Sequence, residues 1–411
     1  MSSNVKTAGR ESGGKPGLTP VLRFPEFRDV AGWEPKRLDA ALTYLQPTPY
    51  LVSETNYSPA YKTPVLTAGK TFILGYTNEK HGIFCKDLPV IIFDDFTTAT
   101  QFVDFPFKAK SSAMKILQAM NGSNIKFMYE ALQMLSYEVG AHERHWISNF
   151  APMLVPVPKL PEQQKIANCL TSVDELIAAQ ARKVAALKAY KKGLMQQLFP
   201  QEGEIQPRLR FPEYQDGGEW ESRNLGEIVE IVSGQVDPTA PPYCDMPHIG
   251  GENIESNTGN LQGVRSAREL GLISGKYLFD GSHVLYSKIR PALNKVALPN
   301  FEGICSADIY PLRPSNGNLC RRYLAYLLLS ENFLEYATKH SDRSKIPKIN
   351  RDSLLGYELV IPCRPEQQRI ADCLSSLDDL IVAQTQKLDA LKTHKKGLMR
   401  QLFPSPEEVE A

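Results

Sequence analysis

No run of about 18 consecutive apolar residues occurs in this chain, so no membrane-spanning helix is predicted. The opening stretch MSSNVKTAGRESGGKPG lacks the apolar core of a secretory signal, and residues 1–17 are expected to form a disordered leader. No C-x-x-C pair occurs and the seven cysteines are an odd number. Reduced thiols in a cytoplasm are therefore expected, not a disulfide framework. The seven histidines show no metal-ligand spacing with cysteine, and no metal site is predicted. A-G-K-T at 68–71 resembles the end of a phosphate loop, but that motif needs Gly at position 64 and the chain has Pro64. D-P-T-A-P-P-Y-C-D at 237–245 holds Pro-Pro-Tyr without the compact Asp/Asn-Pro-Pro-Tyr of an amino-methyltransferase, and no Gly-rich cofactor loop accompanies it. No Pro-Asp dipeptide occurs, which weighs against the commonest metal-dependent nuclease core, and Asp94–Asp95 reads as turn or surface. The charge balance is also missing a sign. The net charge is +1, whereas a protein that grips phosphates alone is markedly basic. Any nucleic-acid contact must be local or shared with a partner.

What is present is a duplication. The chain has 411 residues, room for two or three domains, with 42% hydrophobic and 23% charged residues, ordinary for a globular protein. Residues 161–200 align without a gap against 365–404, at an offset of 204, with 27 of 40 positions identical. A second repeat, L-R-F-P-E-F-R-D-V-A-G-W-E at 22–34, matches L-R-F-P-E-Y-Q-D-G-G-E-W-E at 209–221 at offset 187. The order is short motif, long variable block, long repeat, and then all three again. Two copies are too few to stack as a solenoid.

The long repeat predicts a helix. Pro161 and Pro365 suit a first helical turn, and Glu162 and Glu366 suit its positive end. Ile166, Leu170, Val173, Ile177, Gln180, Val184, Leu187, Lys191, Leu194 and Leu198 then follow in alternating steps of four and three. The second copy repeats the pattern with Ile370, Leu374, Leu377, Ile381, Gln384, Leu388, Leu391, Lys395, Leu398 and Leu402. A strict period of 3.5 is the seam of a left-handed coiled coil. Pro200 and Pro404 stop both helices, which at about 1.5 Å per residue are roughly 55–60 Å long. The simplest arrangement pairs the two helices; the alternative leaves each on its own domain. Antiparallel pairing relates the copies by an approximate two-fold axis, sets Gln180 beside Leu388 and Gln384 beside Val184, and lets the two glutamines bond across the seam. A polar pair there costs stability and fixes register.

The variable blocks, about 18–159 and 201–363, share little beyond their opening motif but share a plan of strands, turns and a short helix. In the first, 88–96 predicts a strand and 125–135 a helix; in the second, 283–289 predicts a strand and 321–337 a helix. Local basicity appears on loops. Y-S-K-I-R-P-A-L-N-K (286–295) carries Lys288, Arg290 and Lys295 without an acid. The stretch 339–351 carries Arg343, Ser344, Lys345 and Lys348 with a single acid, Asp342. In the first block, 67–82 offers Lys70, Thr71, Tyr76, Thr77, Lys80 and His81, and 140–150 offers His142, Arg144 and His145. Basic, amide and hydroxyl side chains on loops are what phosphate and base-edge contacts use. A solvated surface loop is the competing reading for each residue singly.

Two dissimilar blocks, each opening with L-R-F-P-E and each followed by PEQQ-I-CL---D-LI--Q---L--LK--KKGLM-QLFP, resemble the DNA-specificity subunits of type I restriction–modification enzymes. The stretch YSKIRPALNKVALPNFEGICSADIYPLRP is similar to target-recognition domains of that family. The resemblance covers nearly the whole chain from about 20 to 404. It implies an α+β protein: target-recognition domains at 18–159 and 201–363, and conserved helices at 160–200 and 364–404 pairing as an antiparallel, pseudo-two-fold coiled coil. Residues 405–411 read as an acidic tail beyond it. Each domain would read half of a split site on double-stranded DNA, with the helices as a ruler between them. Half-sites on one face of DNA lie about one helical turn, roughly 34 Å, apart. Unlike blocks do not predict a palindrome. Two methyltransferase subunits and two motor–nuclease restriction subunits would be its partners in a prokaryotic cytoplasm. The chain itself would hold no cofactor; S-adenosylmethionine, ATP and Mg2+ would enter through those partners.

Overall fold

The computed structural model describes residues 18–67, 71–135, 137, 144–315, 317–342 and 344–404. The leader at 1–17 and the tail at 405–411 lie outside the described residues. The chain forms two compact units, Met1–Gln180 with Lys387–Ala411, and Ala181–Gln386.

The first unit is built on a four-stranded antiparallel sheet of β1 (Leu42–Leu45), β2 (Val90–Asp94), β3 (Thr100–Val103) and β4 (Met114–Ala119), in the order β1-β4-β2-β3. Strand β2 is apolar without alternation because both of its faces are covered. Successive side chains point to opposite sides of a strand. Ile91 and Phe93 therefore enter one apolar cluster and Val90 and Ile92 another. The first cluster is closed by helix α1 (Ile125–Met134), whose Asn124 N-cap accepts from Phe127 N at 2.9 Å and which buries Phe127, Met128, Ala131 and Leu132. The second is closed by a smaller sheet in which Thr63–Leu66 pairs antiparallel with Ile73–Thr77 and parallel with Lys108–Ala109.

The first long helix, α2 (Leu160–Leu198), starts in this unit. Its beginning explains the repeated motifs. Glu162 is buried and takes two hydrogen bonds from Arg23, at 2.7 and 2.8 Å, and one from Trp33 Nε1 at 3.1 Å. Next to it, Gln163 accepts from Asn124 N at 2.8 Å and donates to the carbonyls of Gly122 and Pro158. Strand Glu34–Arg37 pairs with Leu154–Val157 just before the helix. Both ends of the variable block are thus tied to each other and to α2.

The second unit repeats the frame. Strands β5 (Val229–Ile231), β6 (Val284–Ser287), β7 (Val296–Ala297) and β8 (Ile309–Pro314) take the order β5-β8-β6-β7, the same as in the first sheet. Val284 and Tyr286 face one cluster and Leu285 the other. The smaller sheet here has five strands and keeps the parallel pair, Pro247–Ile249 with Gly303–Cys305. The single helix expected at 321–337 is two, α3 (Arg321–Leu329) and α4 (Glu331–Lys339). Ser330 breaks it: in extended conformation, ψ 154°, its hydroxyl donates to Leu327 O and accepts from Phe333 N, capping α4.

The second long helix, α5 (Arg364–Leu402), starts here, and Arg210 binds Glu366 at 2.7 and 2.8 Å as Arg23 binds Glu162. Gln367 accepts from Cys320 N and donates to Asn318 O and Pro362 O. Strand Glu221–Asn224 pairs with Glu358–Ile361. Each unit therefore contains the start of one long helix and the end of the other, packed together. In the first, Ile166 and Leu170 share a cluster with Met399, Leu402 and Phe403. In the second, Ile370 and Leu374 share one with Leu198 and Phe199. Start meets end, so the packing in each unit is antiparallel. The named seam positions are buried or half-buried throughout both helices. Lys395 Nζ lies 2.7 Å from Asp174, and its equivalent Lys191 lies 2.6 Å from Asp378, so one register holds in both units. The Phe of each Q-L-F-P ending is a core residue: Phe403 packs on Trp33 and Phe127, and Phe199 on Tyr323. No helix among the described residues is long and apolar enough to cross a membrane.

Candidate DNA interface

In the second unit, the basic segments that the sequence sets some fifty residues apart come together at the exit of β6. Backbone pairing does this. Ile349 N donates to Lys288 O at 3.0 Å and Arg290 N to Pro347 O at 2.6 Å, with a bridge between Ile289 and Lys348. Arg290 is in the left-handed region, φ 47°, where a non-glycine residue is uncommon; Pro291 then starts a single turn, and Asn294 is left-handed too. Asn294 holds the turn from behind by donating to Asn257 Oδ1 and Leu329 O. The loop 342–348 is closed on itself: Asp342 N donates to Lys348 O, and the Asp342 carboxylate accepts from Ser344 N, Ser344 Oγ and Lys348 N. The Ser344 bonds hold that carboxyl below its ordinary range, and the nearby Lys348 adds to the effect.

Arg290, Ser344, Lys345 and Lys348 are exposed. Elsewhere in this unit some exposed arginines are paired, Arg223 with Glu221, Arg268 with Asp245 and Arg313 with Glu230, while others, such as Arg265 and Arg351, form no ion pair among the described residues. Arg290, Lys345 and Lys348 form no such ion pair among the described residues. A hydrogen-bonded turn carrying exposed cations and a hydroxyl is suited to a polyanion with readable edges. Lys288 is half-buried, its ammonium 5.1 Å from the centre of the Tyr310 ring, a cation–π contact. Lys295 is committed to the fold: half-buried, its ammonium donates to Gly251 O. Arg343 lies outside the described residues.

In the first unit the predicted residues separate. Lys70 and His142 lie outside the described residues. Thr71, Tyr76, Lys80 and His81 are exposed on the Thr63–Thr77 hairpin and just after it, which packs on the cluster of Leu66 and Phe84. Arg144 is exposed beside the cluster of Trp146 and Phe150 instead. Two expected contacts are corrected. Thr77 is 2% exposed and its hydroxyl accepts from Glu79 N; His145 is 0% exposed, with Nδ1 beside Tyr137 Oη and Asn149 Nδ2. Side chains so placed are engaged within the fold. Sequence reasoning gave Glu162 and Glu366 only a helix-end role and gave Gln163 and Gln367 none. Their signal was the repeat itself, since identical residues flanking unlike blocks must meet something that the blocks share.

A duplicated frame with a cationic loop at a strand exit is suited to contact with DNA. A family model for the type I restriction modification DNA specificity domain matches residues 217–393. The type I restriction enzyme EcoR124I/EcoR124II specificity subunit of Escherichia coli is 32% identical over 400 residues, covering 89% of this chain and 93% of that one. The EcoDI specificity subunit of the same species is 33% identical over 151 residues, 37% of this chain and 33% of that one. The crystal structure of the type I restriction-modification S subunit from M. genitalium shares the fold, with a TM-score of 0.62 at 15% identity over 94% of this chain and 99% of that chain. The chain belongs to the type I restriction enzyme specificity subunits, which confer DNA specificity and are not themselves catalytic.

Proposed function

We propose that this chain reads a split, asymmetric site on double-stranded DNA, one half with each unit, and that α2 and α5 set the distance between the halves. The observation that carries this is the pairing of one repeated frame with two unlike surfaces. The clamp on Glu162 and Glu366, the seam and the four-stranded sheet are common to both units, while the loops at the strand exits differ in charge and length. A common frame positions; different loops discriminate. Two methyltransferase subunits take up the positioned duplex and share the grip on its phosphates, which offsets the chain's net charge of only +1. Two restriction subunits join for cleavage. S-adenosylmethionine, ATP and Mg2+ are used by those partners, in a prokaryotic cytoplasm.

The test is exchange of residues 18–159 for the same block of a related chain, with the methylated sequence mapped for the assembled methyltransferase. One half of the recognised sequence changes and the other stays. A change in both halves would show that the units do not read independently.

A further inference from the structure

We infer that the turn Asp94–Ala99 is the base-reading element of the first unit, and that it reads with hydroxyl and methyl groups where the second unit uses cations. The inference rests on the two-half reading above. Both central sheets have the same strand order, so the turn from β2 to β3 occupies the place of the turn from β6 to β7. Both turns are pinned by the segment that leads into the next long helix: His145 N donates to Asp95 O at 2.9 Å, as Ile349 N donates to Lys288 O at 3.0 Å. Both carry non-glycine residues in the left-handed region, Thr98 at φ 58° and Arg290 and Asn294 at φ 47°. A β-branched residue there is a genuine outlier, and such strain persists only where the surroundings over-determine it.

The surroundings do so. Asp94 Oδ1 accepts from Phe96 N and Thr97 N at 2.9 and 3.3 Å, Thr98 N donates to Asp94 O, and Asp94 N donates to Ala99 O. Asp95 points inward, 1% exposed, with its carboxylate on Trp146 N at 2.9 Å and 3.4 Å from Lys115 Nζ. Both acids of the turn are therefore engaged by the protein. What faces outward is Thr97, exposed at the tip; its hydroxyl oxygen accepts from Ala99 N at 3.5 Å, and its O–H remains a donor. No Lys or Arg lies between 87 and 107, so this turn brings no cation to the phosphates, and its exposed hydroxyl suits a groove floor. A threonine hydroxyl bonds to either donor or acceptor edges, and its methyl packs on the methyl of thymine.

The test uses the chain assembled with its methyltransferase subunits. Thr97→Ala, Thr97→Ser and Arg290→Ala are compared by mapping methylated sites and by binding to matched and mismatched duplexes over a range of salt. Thr97→Ala should lower discrimination at one base pair by roughly tenfold, in the half-site that Arg290→Ala does not affect, with the salt dependence unchanged. Thr97→Ser should keep part of that discrimination. Unaltered preference in Thr97→Ala, with a half-site relaxed by Arg290→Ala, would overturn the inference and leave the two-half reading standing. Equal weakening at all sites with a shallower salt dependence would also overturn it, showing a backbone contact. A recognised sequence moved by none of the variants, nor by exchange of block 18–159, would remove both.

Discussion

The two units use one frame and present two different surfaces. Between opening motif and long helix they share almost no sequence, yet both build the sheet order of edge, centre, centre, edge, with the same parallel pair in the smaller sheet. Their strand-exit turns diverge most. The first is short, acidic and hydroxyl-bearing; the second is longer and cationic, and its partner loop adds Lys345 and Lys348. The difference teaches where each kind of constraint acts. Residues that meet the shared helices are fixed because any block must fit the same Glu, Gln and Phe. Residues at the turns touch nothing shared and are free to carry different chemistry.

The strongest way to break this comparison is to remove its common part. Arg23 and Arg210 each face a buried glutamate, and taking one partner from a buried pair costs about 3–5 kcal/mol. The units are not equal here. Glu162 keeps the indole N–H of Trp33, while the N–H of its counterpart Trp220 is buried without a hydrogen-bond partner. Arg210→Ala should therefore destabilise its unit by the full amount, and Arg23→Ala by about 1.5–3 kcal/mol less, since a bond to a charged group remains. Hydrogen exchange of the core amides, followed in each unit separately, measures both. Equal losses would mean that Trp33 contributes nothing to holding Glu162.

The next effect is smaller and falls on binding. Arg290→Ala should cost about 1–3 kcal/mol at one base pair and relax that position alone. Lys345→Ala and Lys348→Ala should instead weaken all duplexes about equally and lower the salt slope by roughly one unit each. Titrations of the assembled methyltransferase against matched and mismatched duplexes separate the two. A base-specific loss in Lys345→Ala would move that residue from backbone grip to readout.

The helices were legible because burial is periodic in them: the steps of four and three from Ile166 to Leu198 depend only on which residues face inward. Strands β2 and β6 were legible for the opposite reason, as short continuous apolar runs buried on both faces. The cationic turn was half legible. Composition marked 286–295 and 339–351, but only backbone pairing of Ile349 with Lys288 could bring them together, and that pairing has no sequence signature. The first unit was the least legible, because a search for bases favours Lys70 and His145 over a turn of Asp and Thr. His145 shows the limit most plainly: beside Arg144 it reads as part of a basic loop, yet the π-type turn Trp146–Phe150 draws it into the core. The break at Ser330 was visible as a serine N-cap inside an apolar run, overridden by the strength of that run's periodicity.

The finest difference between the units lies in the seam and shows as a function of pH. In the first unit Asp174 faces two ammonium groups, Lys126 and Lys395, each at 2.7 Å, and Lys395 also reaches Glu130 at 3.0 Å. In the second, Lys191 meets Asp378 at 2.6 Å and lies over the Tyr326 ring, whose hydroxyl donates to the same carboxylate. Burial pushes the Asp174 carboxyl up, but hydrogen bonds from Lys126 and Lys395 outweigh it and hold the group below the ordinary range. A carboxylate with a depressed folded pKa stabilises above its unfolded value, near 4, and that stability is lost as pH falls through the folded value. Asp174 is 36% exposed, so screening leaves a contribution of about 1 kcal/mol or less. Asp174→Asn should lower unfolding stability by that amount at neutral pH and by almost nothing once the wild-type carboxyl is protonated. Asp378→Asn should cost more, because Lys191 is left with no carboxylate whereas Lys395 keeps Glu130. Denaturant unfolding of both variants at neutral and acid pH reads the pattern; a loss in Asp174→Asn that persists unchanged in acid would assign its role to shape rather than charge.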